Sequence, residues 1–125
     1  MQKVEKKKTK LSPEIGFYSD GNLSIEGRSI PENPGQLFDQ LIEFVAMLNT
    51  ASVEFNINLE YFNTASSKKI LEILRTLEKN KNITNIHVKW HYEEGDDDCY
   101  ETAKLFEECL LRTTFTFHEY AEQIV

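Results

Sequence analysis

The sequence has few of the residues and segments on which secreted, membrane-spanning and metal-binding proteins depend. It contains two cysteines, Cys99 and Cys109, at a spacing that fits no zinc or thioredoxin-like motif, so we expect reduced thiols and a cytoplasmic location. No apolar run approaches the roughly 18 residues that a membrane span needs, and no apolar core of a signal peptide follows the basic start. Phosphate-binding loops, dinucleotide fingerprints and nucleophile elbows are also missing, which argues against the enzymes that carry them.

The charge of the chain is negative overall and unevenly distributed. The first ten residues carry +4, and the other 115 residues carry −11 within the total of −7. An acidic body repels phosphate backbones, so we expect no nucleic-acid partner and no membrane partner. We interpret residues 1–11 as a flexible basic tail, with contact to nucleic acid or anionic lipid left open. Residues 12–125 are long enough for one domain.

Turn and periodicity signals predict a regular order of elements. Glu14–Tyr18 and Leu23–Ser29 flank Asp20-Gly21-Asn22, which is typical of a β-hairpin with Gly21 at positive φ. Spacings of 3.6 and 2 then predict alternating helices and strands. They are a helix from Pro34 to about Leu48, a strand Val53–Tyr61, a helix Ser66–Lys79, a strand Ile86–Tyr92, a helix of about Asp97–Leu111 with Cys109 on its apolar stripe, and a strand Thr114–His118.

The predicted strands are apolar on one side only, whereas strands covered on both faces are apolar throughout. We therefore expect all the helices on one face of a mixed sheet whose strands advance in one direction. The predicted fold is a two-layer α/β sandwich, ββαβαβαβ, compatible with a STAS-like fold.

Three loops are expected at the C-terminal edge of this sheet, where ligands and partners of parallel sheets collect. They are residues 27–34, 62–68 and 93–98, and each leads into a helix. The second loop carries the hydroxyls of Thr64, Ser66 and Ser67. These hydroxyls suit helix N-capping, but they also suit phosphorylation, because a helix start favours the added negative charge.

Cationic neighbours of a phosphate in the second loop would be Arg28, Lys68 and Lys69. The third loop is acidic, which fits either the start of a helix or an edge that meets a basic partner. Its spacing is poor for a metal site. His87, His91 and His118 are predicted on the polar face of the sheet, where they would need carboxylates such as Glu54 or Glu60 to bind a metal.

Three motifs carry a family resemblance. They are GRSIPENP at residues 27–34, LEYFNTASSKKIL at 59–71, and Trp-x-Tyr followed by an acidic run at 90–98. In this order, over roughly residues 12–118, they are similar to the SiaC family of bacterial regulatory phosphoproteins. The resemblance implies a STAS-like protein, akin to anti-sigma-factor antagonists, without catalysis or cofactor. A dedicated kinase and a PP2C-type phosphatase would interconvert its two forms, and the unphosphorylated form would bind an effector, a diguanylate cyclase that controls biofilm formation.

The resemblance also assigns residues by position. The phosphothreonine of the family motif Asn-Thr-x-Ser-Ser-Lys falls on Thr64, with Ser66 and Ser67 as alternatives. The partner-binding surface implied by the three motifs comprises Arg28, Ser29, Pro31, Glu32, Asn33, Tyr61, Asn63, Ser66, Ser67, Lys68, Glu93, Glu94, Asp96, Asp97 and Asp98.

The chain departs from the family pattern in the second and third loops. Ala65 stands where the family often has Ser, Gly95 interrupts the acidic run, and Cys99 stands where Met is common. Two other functions remain open at this point. One is a structural adaptor that is never phosphorylated, and the other is a small metal-dependent hydrolase built on the acidic loop and the histidines.

Overall fold

The computed structural model describes residues 2–122, which form one six-stranded mixed sheet and three helices. The elements in chain order are β1 Lys3–Lys6, β2 Glu14–Tyr18, β3 Asn22–Ser29, α1 Pro34–Ala46, β4 Ser52–Phe62, α2 Thr64–Lys79, β5 Asn85–Glu93, α3 Asp97–Cys109 and β6 Thr113–Tyr120. The strands follow one another across the sheet from β1 to β6, antiparallel up to β3 and parallel from β3 onward. The predicted α/β fold class and the one-way advance of the strands are confirmed.

A single core lies between the sheet and the helices. Strand side chains alternate between buried and exposed, and the buried ones join the apolar faces of all three helices in one cluster. Trp90 is fully buried at its centre and makes edge-to-face contact with Phe62 and Phe106. Burial of each large apolar side chain contributes about 1.5–3 kcal/mol. Polar side chains cover the other face, where Lys89 Nζ lies 2.8 Å from Glu54 Oε1. Within residues 2–122, no helix is long and apolar enough to cross a membrane.

The N-terminal segment differs from its prediction as a flexible tail. Residues 3–6 form β1, an edge strand that pairs antiparallel with β2, and the order is βββαβαβαβ instead of ββαβαβαβ. Val4 lies opposite Phe17 and is only 6% exposed, so one apolar side chain ties the segment to the core. The many lysines around Val4 are typical of a solvated tail, so the composition of the segment does not reveal this one apolar contact. Charged residues also suit a strand that must not pair with a further chain.

A β-bulge near the end of β3 turns Tyr61 away from the core. Gly27 pairs with Leu59 but Arg28 pairs with Tyr61, so the register skips Glu60. The regular alternation from Val53 predicts a buried Tyr61, whereas its side chain is 51% exposed. Phe62 packs against the core in its place. A single inserted residue reverses the faces of all that follow it, and the alternation pattern cannot show it in advance.

The end of α3 also differs from the prediction. The helix stops at Cys109, whose thiol is exposed, so its assignment to the apolar stripe is wrong. Leu110 remains buried, and Arg112 then turns back to donate hydrogen bonds to the carbonyls of Glu78 and Ile83. These bonds hold the start of β6 against the end of α2, a contact between distant residues that periodicity does not reveal.

We predict that Gly21→Ala destabilises the fold more than Gly95→Ala. Both glycines have positive φ, +95° and +88°, so each substitution should cost about 1–2 kcal/mol in backbone strain. A Cβ at Gly21 would also lie 2.1 Å from Ser52 O, while nothing lies within 4 Å of a Cβ at Gly95. For Gly21→Ala, this overlap should lower the free energy of unfolding by about 1–3 kcal/mol more. Urea unfolding of both variants measures the difference. Equal losses for the two variants would contradict this reading of the hairpin.

Candidate functional site

The three loops meet where parallel strands end. β3, β4 and β5 are neighbours, and their C-terminal ends lead into α1, α2 and α3. Each helix starts with a side-chain cap, from Asn33, Asn63 and Asp96 in turn. The predicted convergence of the loops is therefore present in the structure, together with three helix N-termini at one edge of the sheet.

Ser29 and Ser66 join the first loop to the second. Ser29 Oγ donates to Ser66 Oγ over 2.8 Å, and Ser66 Oγ donates to Ser29 O over 3.0 Å. The backbone N–H of Asn63 donates to the same carbonyl over 3.1 Å. Both serines are fully buried. This pair of hydroxyls is structural, so neither Ser29 nor Ser66, which the sequence predicts as partner contacts, is exposed to a partner, and Ser66 is not exposed to a kinase as the alternative phosphorylation site requires.

Thr64 is the first residue of α2 and its side chain is exposed. The helix is capped by Asn63, whose Oδ1 accepts the N–H of Ser66 over 2.9 Å. The capping role predicted for the hydroxyls of this loop thus belongs to an asparagine. Among the contacts of residues 2–122, Thr64 Oγ1 makes no hydrogen bond, and Ser67 beside it is half-buried.

The N-terminus of α2 lacks the negative charge that a helix start favours. No acidic residue lies in its first turn, whereas the first turn of α3 carries Asp97 and Asp98. The free N–H groups of a helix start are equivalent to roughly half a positive charge. A dianion on Thr64 would lie at this uncompensated end.

An aromatic contact connects the second loop to the third. Phe62 lies edge-on to Trp90, with ring centroids 6.1 Å apart, and Trp90 Nε1 donates to Cys99 Sγ over 3.3 Å in the first turn of α3. Burial raises the pKa of the Cys99 thiol to about 11. Cys99 is therefore part of the apolar packing beneath the loops.

Two of the three predicted cations are available at this edge. The Arg28 guanidinium lies over the ring of Tyr61, 5.7 Å from its centroid, and both side chains are exposed. Lys68 is also exposed. Lys69 instead bonds Asp39 over 2.9 Å and lies 3.7 Å from Glu72, and the hydrogen bond to Asp39 is the largest of the contacts that raise its pKa. It serves to link α2 to α1.

The acidic loop divides into structural and exposed carboxylates. Asp96 Oδ1 accepts the N–H of Cys99 over 3.1 Å and caps α3. Glu94, Asp97 and Asp98 are exposed, and Glu93 is half-buried. In the first loop Glu32 and Asn33 are exposed and Pro31 is half-buried. The exposed members of the predicted partner surface therefore occur in all three loops.

The histidines lie on the polar face of the sheet, as predicted, where His87 Nδ1 lies 3.9 Å from Glu54 Oε1 and the hydrogen bonds are to neutral side chains. His87 Nε2 is 2.9 Å from Thr116 Oγ1, and His91 Nε2 is 3.2 Å from Asn56 Oδ1. His91 stacks on His118 with centroids 5.0 Å apart. Burial and, secondarily, His118 lower the pKa of His91. In the part of the chain that the structure describes, no three potential ligands are grouped to bind a metal ion.

We predict that Ser66→Ala destabilises the protein, while Ser67→Ala does not. Without the Ser66 hydroxyl, the buried Ser29 hydroxyl loses its acceptor, at a cost of about 1–3 kcal/mol. The half-buried neighbour Ser67 is the matched control and should change the free energy of unfolding by less than about 0.5 kcal/mol. Urea unfolding followed by circular dichroism measures both. Equal stability of the two variants would show that the hydroxyl pair is not structural.

Known proteins resemble this chain over nearly its whole length. The family model described as SiaC family regulatory phosphoprotein matches residues 6–120. An uncharacterised protein of Pseudomonas aeruginosa strain UCBPP-PA14 is 33% identical over 105 residues, which cover 80% of this chain and 83% of that protein.

Solved structures of SiaC from Pseudomonas aeruginosa share the fold. SiaC in a complex with the diguanylate cyclase SiaD, of which it is the activator, has a TM-score of 0.81 at 28% identity, over 94% of this chain and 99% of that one. Another SiaC structure has a TM-score of 0.77 at 29% identity, over 98% and 100%. The match of the family model rules against the small hydrolase considered from the sequence. This chain belongs to the SiaC family of regulatory phosphoproteins and is a regulator, not an enzyme.

Proposed function

We propose that this chain is a phosphorylation-controlled switch with Thr64 as the phosphorylated residue. Its unphosphorylated form binds and regulates a diguanylate cyclase, and a cognate kinase and a PP2C-type phosphatase interconvert the two forms in the cytoplasm. Membership of a family of regulatory phosphoproteins supports the switch, and the SiaC–SiaD complex supports the kind of effector.

The proposal rests on the position of Thr64. Its side chain is exposed at the first residue of α2, and within residues 2–122 its hydroxyl makes no hydrogen bond that stabilises the start of the helix. Asn63 caps the helix and Ser66 anchors it to the first loop. A phosphate on Thr64 therefore breaks no hydrogen bond among the described residues. The two other hydroxyls of the loop are less suitable, because Ser66 is buried and Ser67 is half-buried.

The switch follows from local electrostatics. A phosphate adds about −1.5 to −2 charges and three acceptor oxygens. The uncompensated start of α2 stabilises that charge in the free protein. In an interface with the effector, from which water is excluded, the phosphate lies beside the acidic third loop and has no cation of the effector to pair with. Burial of such an unpaired charge costs several kcal/mol. About 3 kcal/mol corresponds to a more than hundredfold loss of affinity, so no large conformational change is required.

We assign the docking surface to the exposed residues around Thr64. Arg28 stacked on Tyr61 presents two of the residue types that dominate binding energy at protein interfaces. Lys68 lies four residues after Thr64 in α2, and the exposed carboxylates of the third loop form the acidic part of the surface. An effector with a basic segment opposite the third loop fits this distribution of charge.

Phosphorylation at Thr64 should weaken effector binding by about a hundredfold or more. Calorimetry with the cognate cyclase would compare the unmodified protein with protein carrying phosphothreonine at position 64. Thr64→Ala should bind within a few-fold of wild type, and Thr64→Glu should weaken binding less than the phosphate does. Ser19→Glu is the control, since Ser19 is exposed in the turn before β3, at the other end of the parallel strands, and its hydroxyl makes no hydrogen bond among the described residues. Undiminished binding of the phosphorylated protein would contradict the proposal.

The phosphorylated protein should be as stable as the unmodified one or slightly more stable. The interaction of the phosphate with the start of α2 contributes about 0.3–1 kcal/mol. This corresponds to a rise of about 1–5 °C in the melting temperature of a domain of this size. Differential scanning calorimetry of the two forms at low salt measures it. A fall of several degrees would mean that phosphorylation acts by loosening the fold and not by local repulsion.

A further inference from the structure

The two outer edges of the sheet are protected to different degrees. β1 is four residues long and carries Lys3, Glu5 and Lys6, which is how natural proteins prevent an edge from pairing with another chain. β6 is eight residues long, and from Thr113 to His118 it contains neither a formal charge nor a proline. Among residues 2–122, no strand pairs with its outer edge. An uncharged, aromatic-rich edge of this length is a template for a further strand.

We propose that β6 pairs antiparallel with β6 of a second copy of this chain, around a two-fold axis at Thr116. The pairing joins the two sheets into one continuous sheet. It is an isologous interface, in which the same residues serve on both sides. This proposal goes beyond the switch and does not depend on Thr64.

The sequence of β6 favours a second copy of this chain over another kind of partner. Residues 114–118 read Thr-Phe-Thr-Phe-His, a polar–aromatic pattern that is the same in both directions from Thr116. A two-fold axis at this residue places Phe115 opposite Phe117 of the second copy and Thr114 opposite its His118. Directly opposed aromatic side chains stabilise antiparallel strands. A slip of one residue would send each phenylalanine to the wrong face.

The ends of β6 are also compatible with this register. Glu119 lies opposite Thr113 of the second copy and Tyr120 lies opposite Arg112, whose guanidinium stays bonded to carbonyls of its own chain, so no like charges are directly opposed. Leu111, which is 97% exposed in the single chain, would lie beside Ala121 of that copy. The partly exposed Phe117 is already supported from its own chain, where the Tyr100 ring and Lys104 Nζ each lie 5.2 Å from its ring centroid.

Sedimentation equilibrium of the full chain tests the pairing. The weight-average mass should rise towards twice the monomer mass as the concentration increases to about 1 mM. Thr116→Lys places two lysines opposite each other on the axis and should raise the dissociation constant about fivefold or more. Ser19→Lys, which adds the same charge at the exposed turn between β2 and β3, should leave it unchanged. A constant monomer mass, or a dimer that Thr116→Lys does not weaken, would overturn the proposal.

A cysteine pair tests the same register without depending on the lysine variant. Residues opposed on a two-fold axis in antiparallel strands are close enough for a disulfide. With Cys109→Ser in the background to remove the exposed thiol, Thr116→Cys should form a covalent dimer under mild oxidation. The matched variant Ser19→Cys should not. If Thr116→Cys cross-links no more than Ser19→Cys, the strands do not pair around Thr116, and the proposal fails even where Thr116→Lys does not fold.

Discussion

The buried hydroxyl pair of Ser29 and Ser66 holds the functional edge of this protein together. It closes the end of β3 onto the start of α2, and the N–H of Asn63 adds a third bond to the same point. Hydroxyls sealed from water must be paired, so the geometry of this corner is fixed. Because Ser66 faces inward and Asn63 caps the helix, Thr64 between them faces solvent. One corner thus separates a structural hydroxyl from an available one only two residues away.

The rest of the site is arranged around that corner by packing. Phe62 continues from Tyr61 into the core and contacts Trp90, which in turn bonds Cys99 at the start of α3. The same bulge that sends Phe62 inward leaves Tyr61 outside with Arg28 above it. The packed residues beneath the loops thus support an exposed surface of arginine, tyrosine and carboxylates. In the proposed switch, this packing stays the same while one added charge changes the affinity of the surface for the effector.

Much of the fold was predictable because periodicity is a local signal. The alternation in β4 and β5 and the 3.6 spacing in α1 and α2 gave the layers, the strand order and the meeting of the loops. Three features depend on contacts between residues that are distant in the sequence, and periodicity does not predict them. They are the contact of Val4 with Phe17, the bulge before Tyr61, and the early end of α3 at Cys109. At the site, the spacing located the three hydroxyls and the family resemblance put Thr64 first, but neither showed which of them are buried. The one local sign that Asn63 is the cap is an asparagine that precedes Thr-x-Ser, because a capping side chain bonds the N–H of the third helical residue, here Ser66.

Mass spectrometry of this chain purified from its own cells tests the proposed switch more directly than any other experiment. We expect that a fraction of the molecules carries one phosphate, that fragmentation locates it on Thr64, and that treatment with a PP2C-type phosphatase removes it. A phosphate found on Ser66, or a chain that is unmodified under every growth condition, would contradict it.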